Sequence, residues 1–258
     1  MEQAMRLQAR ILSLLAWIVA APTLGAAQSG HVTPVGSAGS ASRLVVLELF
    51  TSQGCSSCPA ADALLKNYAQ RPDVMALSLA VDYWDHLGWK DTLASAKNTA
   101  RQKHYAKTLG IGNVYTPQIV IAGAAHAVGS SKSDIEKAIA LARNIPARMP
   151  LEMAASNDGK RVTIDIGAVG DRAAIPATVW LAVVAPRVEV EVKRGENRGR
   201  TLVYHNVVRE IAPVGMWSGK TLKIELPASA VMEKSDRCAV LLQADDGGQI
   251  LAAVWMTQ

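Results

Sequence analysis

Aromatic residues are scarce in this chain of 258 residues: phenylalanine occurs once, and Phe, Trp and Tyr together make up 5%. Lys and Arg are spread along the chain rather than grouped. Without Glu2, Arg6 and Arg10 at the amino end, the formal net charge falls from +5 to +4. Proteins that bind nucleic acids usually combine a basic patch with aromatic side chains on which bases stack. We therefore exclude nucleic acid as a partner.

The chain also lacks an apolar run long enough to cross a membrane. The run ILSLLAWIVAA is well short of the ~20 apolar residues that a spanning helix requires. It follows Arg6 and Arg10 and precedes the small residues of PTLGAAQS, a pattern typical of a signal peptide. We expect a signal peptide over residues 1–27, no membrane span after its removal, and a periplasmic or secreted protein. No paired arginines precede the run, and no cysteine follows it to carry a lipid.

Cysteine is rare, with three residues in all: Cys55, Cys58 and Cys238. A structural zinc site needs four ligands, and the chain offers no second cysteine pair. Pro59 stands where a haem attachment motif requires histidine. The sequence therefore predicts no zinc or haem site, although a copper(I) site on two thiolates stays open. The histidines do not form a spaced cluster either: His31, His86, His104, His126 and His205.

Segments with different hydrophobic patterns follow the signal peptide. Residues 28–42 are rich in Gly, Ser and Pro, and we expect a flexible leader. Between 43 and 145, buried-strand patterns such as RLVVLELF alternate with helical patterns, which indicates an α/β domain with a mostly parallel sheet. From 151 to 258, strand-like runs follow one another without a strong helix, which predicts an antiparallel β-sandwich-like domain. NIPARMP is the predicted linker.

Cys55 and Cys58 lie where a predicted strand meets a predicted helix. The unpaired N–H groups of a helix start stabilise a thiolate at Cys55, and Cys58, one turn later, can attack a mixed disulfide on Cys55. A purely structural disulfide is the alternative, but so short a loop removes little entropy from the unfolded chain. The placement favours a reacting pair. Cys238 is then left over, and we expect a buried, unreactive thiol.

The order of these elements resembles the thioredoxin fold, and TPQIVIAG with the later VGSS is similar to the Thr-x-Pro strand and Gly-rich turn of glutaredoxins. The resemblance implies that Pro117 is cis and faces the dithiol. The backbone of Thr116 would then be free to bind an extended peptide or glutathione. Without the cysteine pair, a trans turn proline would be the ordinary interpretation.

Longer motifs over residues 43–258 resemble a bacterial family of exported thioredoxin-like proteins catalogued as a domain of unknown function. The resemblance implies the fold of both domains, with a thioredoxin-like domain first, but it implies no reaction. Usual members carry a histidine where this chain has Ala80, so any help that this histidine gives the dithiol is absent here. The motifs are VVLELFTSQGCSSCPAADALL, VDYWDHLGWKD, TARQKHYA, VYTPQIVIAG and VEVEVKRGENRGRTLVYHNVVRE.

Two segments offer accessory residues. DYWDHLGW follows a strand that should end near the dithiol, so Trp84 could floor a substrate groove and Asp82 could accept the proton of Cys58. The alternative is that its tryptophans are packing residues and its carboxylates are caps. RGENRGRT is either a lid that reaches the dithiol or a solvated hairpin loop, and its charges favour the solvated loop. Its candidate contact residues are Glu196, Asn197 and Arg198.

These patterns predict an exported thiol-disulfide oxidoreductase-like protein, with Cys55 as nucleophile and Cys58 as resolving cysteine. Thr116 and Pro117 would position the substrate. The partners would be protein or small-molecule thiols and disulfides, with no cofactor and with glutathione as a candidate co-substrate. The alternative is a redox-inert scaffold with a thioredoxin fold, which binds a partner or a ligand while the cysteine pair stays oxidised.

Overall fold

The computed structural model describes residues 44–144, 151–170, 175–231, 236–245 and 248–258. The predicted signal peptide, the leader and most of the linker lie outside these residues. In the described part the α-helices are α1 (Cys58–Ala69), α2 (Ala96–Thr108) and α3 (Lys132–Arg143). The strands are β1 (Val45–Thr51), β2 (Val74–Ala80), β3 (Gln118–Ile121), β4 (Ala125–Val128), β5 (Met153–Asn157), β6 (Arg161–Ile166), β7 (Ala177–Glu191), β8 (Thr201–Trp217), β9 (Leu222–Pro227), β10 (Arg237–Ala244) and β11 (Ile250–Trp255).

Most of the strands form one mixed sheet of eight, in the order β11-β10-β7-β8-β2-β1-β3-β4. β1 is parallel to β2, but β3 is antiparallel both to β1 and to β4. The prediction of a mostly parallel sheet in this part of the chain is therefore wrong, because β3 and β4 form a hairpin. All residues of β1 and β2 are buried, which explains why both sequences are near-continuous apolar runs rather than alternating ones. β5, β6 and β9 form a separate antiparallel sheet of three strands.

The large sheet contains strands from both of the predicted domains. β8 pairs in parallel with β2 at Ser78 and Val207, so strands from both sides of residues 145–150 share one sheet. The side chain of Asn206 strengthens the junction, because its Nδ2 donates to the carbonyl of Ala76 at 2.9 Å. The sequence pattern predicts strands over residues 177–185, 188–194 and 200–211, and β7 and β8 confirm them. Their pairing with β2 brings together residues far apart in sequence, which no local pattern encodes.

Apolar side chains fill both faces of the large sheet. On one face, α1 and α3 pack against β1, β2 and β3, with Leu65, Ile135 and Ile139 as buried contacts. On the other face, α2 contributes Tyr105 to a core shared with β7, β8, β10 and β11. A further core joins the small sheet to β7, β10 and β11, and it contains Cys238. The prediction of a buried third cysteine is therefore confirmed.

A buried ion pair lies within the core on the α2 side. The guanidinium of Arg101 donates to the Glu48 carboxylate at 2.6 and 3.2 Å, and the hydroxyl of Tyr105 donates to the same carboxylate at 2.5 Å. Gln243 of β10 donates to that hydroxyl at 3.0 Å. The side chain of Glu48 has no exposed surface and that of Arg101 is 8% exposed. This network connects β1, α2 and β10.

Replacing Arg101 with methionine should destabilise the protein by about 3–5 kcal/mol, because the buried Glu48 carboxylate loses its counter-ion. Urea denaturation measures the change. The double variant Glu48→Leu/Arg101→Met should recover part of the loss. Lys97→Met, which breaks an exposed pair with Glu210, is the control and should cost no more than about 1 kcal/mol. An equally small effect of Arg101→Met would contradict the role assigned to the network.

Candidate functional site

The two cysteines of the CxxC motif form a disulfide at the start of α1. β1 ends at Thr51, a tight loop follows, and Cys58 is the first residue of the helix. The N–H of Cys55 donates to the carbonyl of Ser52, and the N–H of Cys58 donates to the carbonyl of Cys55, both at 3.2 Å. Pro59 fits in the first helical turn because its missing N–H would have no partner there. The predicted strand, dithiol and helix are thus confirmed.

Neither cysteine is open to solvent in this structure. Cys55 and Cys58 have 0% exposure, whereas Ser56 and Ser57 between them are exposed. A partner thiol can therefore reach either sulfur only after a neighbouring segment moves.

The peptide bond between Thr116 and Pro117 is cis, as the resemblance to thioredoxin-like proteins implied. It enters β3, which lies next to β1 in the sheet. A Cβ built on Gly129 would lie 3.1 Å from the Cβ atoms of both Pro117 and Ala61. Pro117 and Ala61 of α1 therefore both lie against Gly129.

The segment 82–92 packs against the CxxC loop through its tryptophans. Trp84 donates through Nε1 to the hydroxyl of Thr116 at 2.9 Å, and a Cβ on Gly54 would be only 3.1 Å from its Cβ. Trp89 donates through Nε1 to the side-chain oxygen of Gln53 at 2.8 Å. The tryptophans thus connect the loop to its surroundings, which agrees with the packing alternative for them.

Two carboxylates of this segment, those of Asp82 and Asp91, form hydrogen bonds with different parts of the fold. Asp91 is buried and accepts the N–H of Gln53 at 2.7 Å and that of Leu93 at 2.8 Å. Burial raises the pKa of the Asp91 carboxyl. Asp82, the predicted proton acceptor for Cys58, accepts a hydrogen bond from the hydroxyl of Thr99 at 2.5 Å. Its carboxylate is thus bound to α2.

A loop from the C-terminal half of the chain lies on the CxxC motif. We call residues 193–200, between β7 and β8, the clamp loop. Asn197 is fully buried, and its Nδ2 donates to the carbonyls of Gln53 at 3.0 Å and Cys55 at 2.9 Å. Glu196 accepts the N–H of Ser56 at 3.1 Å. Of the two alternatives for this segment, the contacts fit a lid better than a solvated loop.

The third predicted residue of the loop has a different position. Arg198 is exposed, and its backbone N–H donates to the carbonyl of Gly195 at 3.1 Å. Arg200 donates to the side-chain oxygen of Asn197 at 3.1 Å, a contact that the sequence analysis did not propose. Arg200 orients the Asn197 amide so that its nitrogen faces the CxxC loop.

A buried carboxyl that sequence reasoning missed lies one helical turn along α1 from Cys58. Asp62 is 5% exposed, and neither of its oxygens has a hydrogen-bond partner within the described structure. Burial raises the pKa of Asp62 to about 8, the nearby Thr51 hydroxyl lowers it, and the charge of Asp91 raises it further. At pH 7 this carboxyl is therefore protonated. A charged residue between Ala61 and Leu65, on the face of α1 that packs inward, is the sequence signal that could have identified it.

Asp62 also borders a groove next to the dithiol. The groove has a volume of about 370 Å³ and runs between α1 and the strands β7 and β8. Basic side chains stand beside it, and the pKa of His205 is lowered by burial and by the charges of Lys66 and Arg187. The groove is lined by Pro59, Asp62, Ala63, Lys66, Arg187, Thr201, Leu202, Val203 and His205.

The described residues contain no cluster of three or more His, Cys, Asp or Glu side chains that could hold a metal ion. Within the same residues no helix is long and apolar enough to cross a membrane.

The Asp62→Asn variant should be more stable than the parent protein, and the difference should grow from pH 5 to pH 8. Asp62 keeps its proton in the folded protein up to about pH 8, whereas an unfolded chain loses it above about pH 4. Folding therefore takes up a proton between these values, and the free energy of unfolding falls by up to about 1.4 kcal/mol per pH unit. Urea denaturation at several pH values measures this. A difference that does not change with pH would contradict the assignment.

The chain is similar to one protein family and to solved structures of other proteins. The family model "Protein of unknown function (DUF1223)" matches residues 46–243. The chain is 38% identical to a protein from Agrobacterium tumefaciens with a crystal structure determined by the Northeast Structural Genomics Consortium. That match covers 83% of this chain and 93% of the other, with a TM-score of 0.73.

A second solved structure, HBP35 of Porphyromonas gingivalis, is 13% identical, with 83% of this chain and 74% of the other covered and a TM-score of 0.56. At this identity the likeness concerns the fold alone. A comparison with curated proteins gives no match. Because the family model spans most of the described residues, from β1 to β10, the chain belongs to the DUF1223 family of proteins of unknown function.

Proposed function

We propose that the protein is a thiol-disulfide oxidoreductase that exchanges disulfides through Cys55 and Cys58. The observation that carries this proposal is the pairing of a CxxC disulfide at a helix start with a buried carboxyl one turn further along the helix, the pKa of which burial raises to about 8. A structural disulfide has no need of such a carboxyl, whereas a leaving thiolate needs a proton source.

We also propose that residues 44–144 adopt a thioredoxin-like fold. Several features support this proposal. The elements follow the order β1-α1-β2-α2-β3-β4-α3, α1 and α3 pack on one face of the strands, and α2 packs on the other. The cis peptide bond before Pro117 stands at the entry to β3. The C-terminal strands would then extend the thioredoxin-like sheet.

The reaction would begin with the disulfide closed, as in this structure. A partner thiolate attacks Cys55 Sγ, the bond between Cys55 and Cys58 breaks, and the electron pair leaves on Cys58. Asp62 supplies the proton that makes Cys58 a thiol. A second thiol of the partner then attacks the mixed disulfide and releases Cys55. The partner dithiol is oxidised to a disulfide, and the protein is reduced by two electrons; the reverse direction uses the same steps.

Substrate contacts would come from the residues around the CxxC loop. Thr116 and Pro117 would offer backbone atoms to an extended peptide or to glutathione, and Trp84 holds the Thr116 hydroxyl in place. The partner would be a protein or small-molecule thiol or disulfide. We further propose that the protein acts after export, in the periplasm or outside the cell, where disulfides persist.

The burial of both sulfurs favours a second candidate, a binding protein with a permanently closed disulfide. A cavity of about 570 Å³ lies between α2 and the strands β7, β8 and β10, within the size range of small-molecule sites. It is lined by Lys97, Ala100, Arg101, His104, Thr178, Trp180, Ile211, Ala212, Pro213, Gln243, Ala244 and Asp245. In this candidate function a ligand would bind in the cavity, and the disulfide would only stabilise the fold.

Titration of the purified protein against glutathione redox buffers distinguishes the two candidates. An oxidoreductase should interconvert at a potential near or above the ~ −200 mV range of glutaredoxins, and Cys58→Ser should accumulate a mixed disulfide on Cys55. Alkylation followed by mass spectrometry gives both results, with Cys238→Ser as the control. A disulfide that stays closed below about −300 mV would support the binding protein instead.

The Asp62→Asn variant should slow reduction of the disulfide by dithiothreitol at pH 7 by about 10–100-fold, because Cys58 then leaves without a proton donor. The ratio of parent to variant rates should shrink above pH 8, as the parent carboxyl loses its own proton. Stopped-flow tryptophan fluorescence follows the reaction, since Trp84 and Trp89 contact the CxxC loop. Equal rates for parent and variant at pH 7 would remove Asp62 from the mechanism.

A further inference from the structure

The clamp loop binds the CxxC loop at three backbone groups. The Asn197 amide holds the carbonyls of Gln53 and Cys55, and the Glu196 carboxylate holds the N–H of Ser56. From the segment 82–92, Asp91 accepts the N–H of Gln53. The peptide groups around Cys55 are thus fixed in the conformation of the closed disulfide.

The contact of Glu196 with the CxxC loop disfavours a thiolate at Cys55. A thiolate at Cys55 would be stabilised by the free N–H groups that precede α1, and the N–H of Ser56 directly follows Cys55 in the chain. Glu196 occupies this donor and places a negative charge beside it. Reduction of the disulfide would therefore create a thiolate close to an existing carboxylate. This contact favours the oxidised form over the reduced form.

The clamp loop itself is anchored so that its contacts persist. Val192 and Gly199 close it through two backbone hydrogen bonds, in which Val192 donates to Arg200 and Gly199 donates to Val192, at 2.9 and 2.8 Å. A Cβ on Gly195 would lie 3.3 Å from the Cβ of Trp89, so the loop also packs against the segment 82–92. Movement of the loop therefore requires the loss of defined contacts.

We propose that Glu196 and Asn197 are positioning residues that hold the Cys55–Cys58 disulfide closed and that must release the CxxC loop before a partner thiol reaches Cys55. This role rests on the proposed oxidoreductase function. Asn197 slows access to the sulfur, because it fixes the carbonyl of Cys55 and contributes to the burial of the motif. Glu196 shifts the equilibrium, because its charge opposes the thiolate. The clamp loop thereby sets both the rate of reduction and the reduction potential.

The test compares the purified parent protein with Glu196→Gln and Asn197→Ala. Glutamine can still accept the N–H of Ser56 but carries no charge, so Glu196→Gln isolates the electrostatic effect. It should favour reduction by about tenfold, which is about 30 mV for this two-electron couple. The effect should shrink at 1 M salt, because Glu196 is exposed and salt screens its charge. Asn197→Ala should speed reduction by dithiothreitol by about tenfold or more.

Glu191→Gln removes an exposed charge at the end of β7 and is the matched control. It should change neither the reduction potential nor the rate of reduction by dithiothreitol. If the parent protein exchanges disulfides and both variants behave like this control, the clamp role is wrong and the oxidoreductase function stands. If neither the parent nor any variant is reduced above about −300 mV, both proposals are wrong. Because Glu196 lies on the surface, Glu196→Gln keeps the test valid even if Asn197→Ala folds poorly.

Discussion

The parallel pairing of β8 with β2 is the contact on which the site depends. It joins Val207 to Ser78, and Asn206 reinforces it by donating to the carbonyl of Ala76. Because β7 and β8 form a long antiparallel pair, the loop that joins them is carried to the end of β1, where the CxxC loop begins. This pairing places β7 and β8 beside the first strands of the sheet, and the hydrogen bonds of Glu196 and Asn197 then fix the clamp loop on the CxxC loop. In the proposed function the extended sheet therefore serves to place the clamp loop beside the disulfide.

Two acidic residues flank the disulfide, one buried and one exposed. Asp62 lies on the inner side of α1, where burial keeps its carboxyl protonated, and Glu196 lies on the exposed side, where its carboxylate binds the N–H of Ser56. Burial raises the pKa of the Tyr204 hydroxyl, and at the high pH where a tyrosine titrates the ionised carboxylates of Asp62 and Asp91 raise it further. In our account the inner acid provides the proton for Cys58, and the outer carboxylate disfavours the thiolate of Cys55. The two acids thus act on different cysteines and on different steps.

The sequence allowed the local elements of this site to be predicted, but not their long-range assembly. Apolar runs and helix signals placed β1, α1 and the CxxC motif correctly, because these patterns are encoded within a few residues. The role predicted for Asp82 was assigned from chain proximity to a strand end, whereas the hydrogen bond of its carboxylate with Thr99 of α2 is a long-range contact that no local pattern encodes. Asp62 was missed because it sits in an apolar helix face, where only the packing shows its burial. The contacts of Asn197 span more than a hundred residues, and charge alone suggested a solvated loop there.

The central claim is that the buried disulfide of this DUF1223 protein opens within the folded molecule. The most direct measurement is a mass-spectrometric count of N-ethylmaleimide adducts after mild reduction of the native protein. We predict one rapid adduct on Cys55, which becomes accessible when the clamp loop releases the CxxC loop. Cys58, which the proposed proton transfer from Asp62 leaves as a neutral thiol, and the buried Cys238 should react only after unfolding. If no cysteine becomes reactive until the protein is unfolded, the disulfide is structural and the account is contradicted.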